Sequence, residues 1–408
     1  MLFTLIRNEL KKIFSRGKTY VISVLFVAFV AMLFVGSYIN EKRMNQINSP
    51  EGRLSQLQEN NKWMEEDLKN LETNSSSDVS LETRKLQMKE QIEKNKTTID
   101  TLKKQIDNGT IKDNWKDELN IQIDDLKHQL KDETLPNRYK ASIQSDLDKL
   151  NYYKDNNLKP INSWDVTGFN FMDTVMSALG MIFLAVGIAL FMSDMVSGEF
   201  TPATMKFLLI QPVSRGKVLL SKFIAVVISC VTLILSIEVI AFLLVGLLRG
   251  FGYSGVPTMF GARYQFDMSQ FENGAHPLVQ IAGTGEQIPL WNFTIRTFFM
   301  QALFIIACCA FVFLVSSLVK TSMISMAVTT SVTVLIQILT EILSPMKKIS
   351  HYLFTTYGDA GQILSGRIAL QYNNPNITIG FSIGLLLIST IVFYIISHVT
   401  FTKRDILI

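Results

Sequence analysis

The chain has 408 residues and a mean hydropathy of +0.25, too apolar for an ordinary soluble domain. Yet 18% of its residues are charged, too many for a bare membrane bundle. Position reconciles the two: residues 41–160 hold 21 of the 39 Lys+Arg and 23 of the 35 Asp+Glu, leaving 18 basic against 12 acidic residues elsewhere. The slightly negative balance of 41–160 excludes a basic nucleic-acid surface. Cys230, Cys308 and Cys309 all lie in apolar runs, so the polar stretch has no disulfide framework. His128, His276, His351 and His398 are scattered and make no metal site.

Residues 2–18 read as an amphipathic helix. Leu2, Phe3, Ile6, Leu10, Ile13 and Phe14 share one face at steps of three and four, and Arg7, Lys11, Lys12, Arg16 and Lys18 largely cover the other. Because it runs directly into an apolar span, the expected place for this helix is the inner membrane interface; a soluble helix packed on another domain is the alternative. The apolar run of about 21 residues that follows exceeds a signal-peptide core, and no small-residue cleavage site comes after it.

A helix needs about 20 apolar residues to cross the hydrocarbon. Six runs qualify or nearly so: 20–39, 171–192, 223–248, 293–319, 323–343 and 377–399. The fourth and fifth are parted only by Lys320-Thr321-Ser322, which reads as a tight turn. With the N-terminus inside, the short inner segments carry twelve basic residues and the outer ones six, the polar stretch aside. Both termini are therefore expected in the cytoplasm of a multi-pass cell-membrane protein, with residues 41–160 outside. The expected fold is all-α: an N-terminal interfacial helix and first span (1–40), an extracellular helical-hairpin or coiled-coil domain (41–160), and five further spans (161–408).

Within 41–160, Leu54, Leu57, Asn61, Met64, Leu68 and Leu71 alternate steps of three and four, as do Met88, Ile92, Asn95, Ile99, Leu102 and Ile106. These are heptad seams, each with one polar Asn that sets register at a cost in stability. Leu119, Ile123, Leu126 and Leu130 give a third stripe; Ile143, Leu147 and Leu150 give a fourth. Ser-rich 73–80, Asn108-Gly109 and Pro136 are breaks. Helical hairpins that pack on each other are expected, either as a spacer or dimerisation stalk or as a docking surface for a peptide or protein.

Between the second and third spans, residues 193–222 form the most informative segment. Thr201 suits a helix cap and Pro202 the first helical position; Met205, Leu208 and Leu209 make a small apolar face, and Pro212 ends it. Such a short helix across the ends of two spans is a docking knob for a soluble partner. Here the sequence resembles the membrane subunits of ABC-2 type ABC transporters. Many of these carry Glu-x-x-x-Gly-Thr-x-x-x-Leu-Leu-x-x-Pro-(Val/Ile)-Ser-Arg after their second span. Glu199, Thr204, Leu208, Leu209, Pro212, Val213, Ser214 and Arg215 match, and Lys222 stands where the family has a Gly-Lys pair. Ala203 departs from the usual glycine, and Ser221 replaces the second one. The resemblance covers nearly all of the chain except the inserted module. It implies a non-catalytic permease subunit whose coupling loop, including Lys206, touches a cytoplasmic ATPase. It also implies a second permease chain, identical or different.

No Gly-x-x-x-x-Gly-Lys-Ser/Thr loop occurs, so ATP and Mg²⁺ are expected on a separate ATPase subunit and no cofactor on this chain. Glu238, Gln301, Gln337 and Glu341 are the polar residues to watch inside spans. A charge at the centre of a membrane helix costs about 2.5–3.5 kcal/mol on insertion scales. Substrate contact is one reading of Glu238; a bond to a Ser or Thr on a neighbouring helix is the other. Glu341 is placed to reach the outer interface, Gln301 and Gln337 to bind helices together, and His398 to snorkel at the inner boundary. Residues 249–290, Gly-rich with Pro257, Pro277 and Pro289, read as an irregular outer loop, and 344–376 as short re-entrant or interfacial helices capping a conduit.

The expected function is export of an amphipathic molecule, such as an antimicrobial peptide, drug or lipid. A membrane receptor or scaffold using the coiled coil for sensing or tethering is the alternative, disfavoured by the lack of a cytoplasmic output domain. An intramembrane hydrolase lacks both His-Glu-x-x-His and Gly-x-Ser-x-Gly.

Overall fold

The computed structural model describes residues 2–73, 79–109, 115–132, 135, 137–199, 213–271 and 276–403. The chain is mostly helical, with almost no sheet. Its contacts divide it into two compact units: Met1–Phe34, Leu119–Ile161 and Thr167–Ile408 form one, and Val35–Glu118 with Asn162–Val166 the other.

The larger unit begins with α1 (Leu2–Phe14) and the first half of α2 (Gly17–Asn48). The N-terminal helix thus stops earlier than its sequence pattern predicts, with Ser15-Arg16 as the joint. After α5 (Trp115–Lys131) and α6 (Asn137–Asp155) come α7 (Gly168–Ala178), a π-helical turn at Leu179–Phe183, and α8 (Leu184–Met192). Then follow α9 (Arg215–Arg249), four short strands, α10 (Leu290–Leu318), α11 (Ser322–Ile342) and α12 (Ser344–Ile349). Two 3₁₀ turns lead to α13 (Ala360–Ser365), α14 (Ile368–Tyr372) and α15 (Ile379–Lys403).

Five of these helices, α2, α9, α10, α11 and α15, are long and apolar enough to cross a membrane. The run predicted as the remaining span is helical from Gly168 to Met192, but the π turn divides it into two shorter α-helices. The turn sits where Gly180 meets Gly358: a Cβ on Gly180 would lie 2.5 Å from the Gly358 carbonyl oxygen, so only glycine allows this approach. α10 is the buried centre, packed on α9, α15 and α8. Around it the surface is apolar: Val21, Val24, Leu25 and Met32 on α2, and Leu387, Ile388, Ile391 and Ile395 on α15, are exposed. A surface of this kind is stable in hydrocarbon, not in water. α11 is turned inside out relative to a soluble helix. Ser325, Thr329, Thr333, Gln337 and Thr340 face inward, while Met323, Leu335 and Ile342 face out. Thr329, Thr333 and Thr340 donate their hydroxyls to the carbonyl four residues back, which removes the cost of burying them.

Residues 249–290 correct the expectation of an irregular loop. β1 (Pro257–Phe260) pairs antiparallel with β4 (Glu286–Pro289), and β2 (Tyr264–Phe266) with β3 (Leu278–Gln280). α6 packs on β1 and β3; the Gln287 amide donates to Ser145 Oγ at 3.1 Å, and Tyr153 meets Tyr253 edge-on. Leu119, Ile123 and Leu147, from the third and fourth predicted stripes, are buried. The segment after α11 forms the short helices expected there, and Asp359 caps α13 by accepting from the Gln362 N–H at 3.0 Å.

The smaller unit is built on an antiparallel pair, α3 (Pro50–Thr73) and α4 (Val79–Asp107). Ser49 Oγ accepts from the Gly52 N–H at 3.0 Å and Pro50 occupies the first turn, so a capping signal separates α3 from α2. The predicted seams are the inward faces: Asn61, Ile92, Asn95 and Ile99 are buried and their heptad partners half-buried. Lys89 pairs with Glu72 at 2.8 Å and Lys96 with Glu65 at 3.1 Å, which fixes the antiparallel sense. The hydrogen bond from Lys89 holds the Glu72 carboxyl below its ordinary range. Gly109, at φ 59°, closes α4 as the Asn-Gly pair predicts, whereas Pro136 lies outside the described residues. Where the chain returns, the Val166 N–H donates to Glu41 Oε1 at 3.0 Å and the Trp164 indole to Asn45 Oδ1 at 3.2 Å.

Asn61 Oδ1 is buried without a hydrogen-bond partner among the described residues. Asn61→Leu therefore stabilises the hairpin by about 1 kcal/mol, read as slower hydrogen exchange of α3 and α4 amides; faster exchange contradicts the assigned seam.

Candidate functional site

In the segment leading into residues 200–212, one hydroxyl from a neighbouring helix makes three bonds to the backbone. Ser316 Oγ, on α10, accepts from the Val196 and Ser197 N–H groups at 3.1 and 3.0 Å and donates to the Ser193 carbonyl at 2.7 Å. One hydroxyl thus uses its proton and both lone pairs to fix a turn that would otherwise bury unpaired backbone. The turn delivers Glu199 to α1 and Asp194 to the joint and first turn of α2. Asp194 pairs with Arg16 at 3.3 Å and Lys18 at 3.0 Å.

Glu199 is only 3% exposed. It accepts from Lys12 and, at 2.9 Å, from Lys222, which is 2% exposed and lies on α9 beyond the far end of the loop. Lys222 also pairs with Glu9 Oε1 at 2.9 Å. The charges therefore alternate, Glu9–Lys222–Glu199–Lys12, across three separate elements: α1, the end of the α8 segment, and α9. A buried ion pair is worth its desolvation cost only with close geometry and further bonds, and Lys222 has two carboxylates at hydrogen-bond distance.

Of the predicted loop residues, Glu199 is in this relay and Arg215 opens α9. Thr204, Lys206, Leu208, Leu209 and Pro212 lie outside the described residues. The sequence reads Lys12, Arg16 and Lys18 as inner positive charges on the polar face of the N-terminal helix and does not single out Glu9 or Asp194. The signal was there in two acids, Asp194 and Glu199, next to an apolar run and facing a surplus of basic residues in 7–18.

The four polar intramembrane residues fall into two separate pairs. Gln301 Nε2 donates to Glu238 Oε1 at 2.7 Å, joining α10 to α9. This corrects the expected Ser or Thr partner: a longer side chain, an amide, reaches the buried carboxyl through one hydrogen bond. Gln337 Nε2 lies 3.3 Å from Tyr372 Oη and 3.5 Å from Glu341, whose side chain is exposed at the end of α11. Among the described residues no cluster of His, Cys, Asp and Glu could hold a metal ion. His398 stands against Gly216, where a Cβ would meet the ring at 2.7 Å, so α9 and α15 touch at the first turn of α9.

A family profile described as ABC-2 family transporter protein matches residues 3–406. The chain belongs to that family. ABC-2 proteins of this kind are membrane transport components, generally non-catalytic, and membership implies ABC ATPases as partners. No curated protein matches this ABC-2 chain.

Lys222→Met leaves Glu9 and Glu199 facing each other with no ammonium between them. It is expected to cost about 3–5 kcal/mol, whereas Lys12→Met, at a side chain 44% exposed, costs under about 1 kcal/mol. Thermal unfolding in detergent measures both; equal effects contradict the relay. Gln301→Leu removes the only hydrogen-bond donor to Glu238 among the described residues and is expected to cost about 1–3 kcal/mol in the same assay, with Gln301→Asn between it and wild type.

Proposed function

We propose that the chain is the permease subunit of an ATP-driven exporter and that residues 200–212 are the foot on which a separate ATPase acts. The observation that carries this reading is the relay. Glu199 and Lys222 flank the loop and bond to each other, and both are tied to α1. A push on the loop would reach α8, α9 and the N-terminal helix together, because none of the three can shift alone without stranding a buried charge.

In this reading both termini and the loop face the cytoplasm, and the α3–α4 pair stands outside the cell as a coiled-coil arm able to meet a peptide or protein. A second permease chain, identical or different, completes the conduit. ATP and Mg²⁺ are bound by the ATPase. The cargo is amphipathic, an antimicrobial peptide, drug or lipid. Supporting this are the inward hydroxyl face of α11 and the separate Glu238–Gln301 and Gln337–Tyr372 contacts, which offer scattered polar contacts in apolar surroundings and not a row of charges for a bare ion.

The test is co-purification with an ATPase subunit, followed by ATP turnover. Glu199→Ala and Arg215→Ala are each expected to lower cargo-stimulated turnover by about 5- to 150-fold, the usual range of coupling between linked sites. Full stimulation in both variants contradicts the assignment of the loop.

A further inference from the structure

The relay uses only one edge of α1. At 100° per residue, Phe3, Arg7, Lys11 and Phe14 fall within an arc of about 80°, and Glu9 and Lys12 lie on the opposite side. All four residues of that arc are exposed, Phe3 at 78% and Phe14 at 42%. Arg7 and Lys11 form no ion pair among the described residues, in contrast to Lys12, Arg16 and Lys18. After two intervening residues α2 begins, and its exposed Tyr20, Val21, Val24 and Leu25 mark the edge of the apolar surface. The stripe therefore lies at the level where hydrocarbon gives way to headgroups, with two aromatic rings flanking two cations.

We infer that this stripe is a binding surface for anionic lipid headgroups, and that lipid charge, by fixing α1, sets how firmly Glu9 and Lys12 hold the base of loop 200–212. Charge complementarity selects the occupant: a zwitterionic headgroup offers no net attraction to Arg7 and Lys11, while an anionic surface contributes about 1 kcal/mol per basic residue. The rings add apolar burial just below. The second half of the inference rests on the proposed role of the loop; the lipid surface itself does not.

Two experiments separate these parts. In vesicles of phosphatidylcholine with a fixed fraction of brominated lipid, Phe3→Trp places a reporter on the stripe, the quenching of the parent protein being subtracted. Brominated phosphatidylglycerol is expected to quench the added tryptophan at least about twice as strongly as brominated phosphatidylcholine, and Arg7→Gln/Lys11→Gln abolishes the difference. Equal quenching by both lipids overturns the lipid surface, whatever the ATPase does. In nanodiscs holding the permease with its ATPase, phosphatidylglycerol is expected to change ATP turnover in wild type but not in the double variant, with both alike in pure phosphatidylcholine. A preserved lipid response in the double variant overturns the regulatory part. Failure to bind any ATPase counts against the proposed function and leaves the quenching result standing.

Discussion

An ammonium group out of water is tolerable at Lys222 only because Glu9 and Glu199 close on it from two different elements. That constraint fixes more than one residue. It requires α1 to lie against α9, requires the turn after α8 to present Glu199 inward, and so ties the segment before loop 200–212 to the helix that follows it. Ser316 completes the arrangement by satisfying the backbone of the turn. The same demand, that polar groups in an apolar setting find partners inside the protein, explains the back-bonded hydroxyls of α11 and the Glu238–Gln301 bond.

Away from these points the molecule is simple. The long helices α2, α9, α10 and α15 are predominantly apolar, so hydrocarbon serves as their solvent and packing among them is decided by small residues and shape. Gly180 against Gly358 and Gly216 against His398 are two such contacts, each too close for a side chain. The first coincides with the π turn that divides the helix at 168–192, where a backbone irregularity admits the 358–359 segment.

How much of this could be read in the sequence follows from the range of each interaction. Hydropathy and heptad spacing are local, so the long helices, the seams through Asn61 and Asn95, the Lys320–Ser322 turn and the Asn108-Gly109 stop were legible. So was the family, through Glu199 and Val213–Arg215 together with the residues between them. The relay was not, because Lys12 and Glu199 are separated by 187 positions and nothing local marks either as the other's partner. The paired strands between 257 and 289 escaped for a different reason. Strands of three or four residues are too short to show alternation, and their glycines and prolines resemble those of a loop. Gln301 was singled out, as was Glu238, but a helix-to-helix amide bond has no spacing rule that could have joined them.

The account stands on loop 200–212 lying on the side from which an ATPase can reach it. The three native cysteines are buried, so a single Lys206→Cys reporter can be labelled selectively. A membrane-impermeant maleimide is predicted to leave it untouched in intact cells, to modify it in inverted vesicles, and to be blocked there by the bound ATPase subunit. Labelling from outside intact cells would contradict the account.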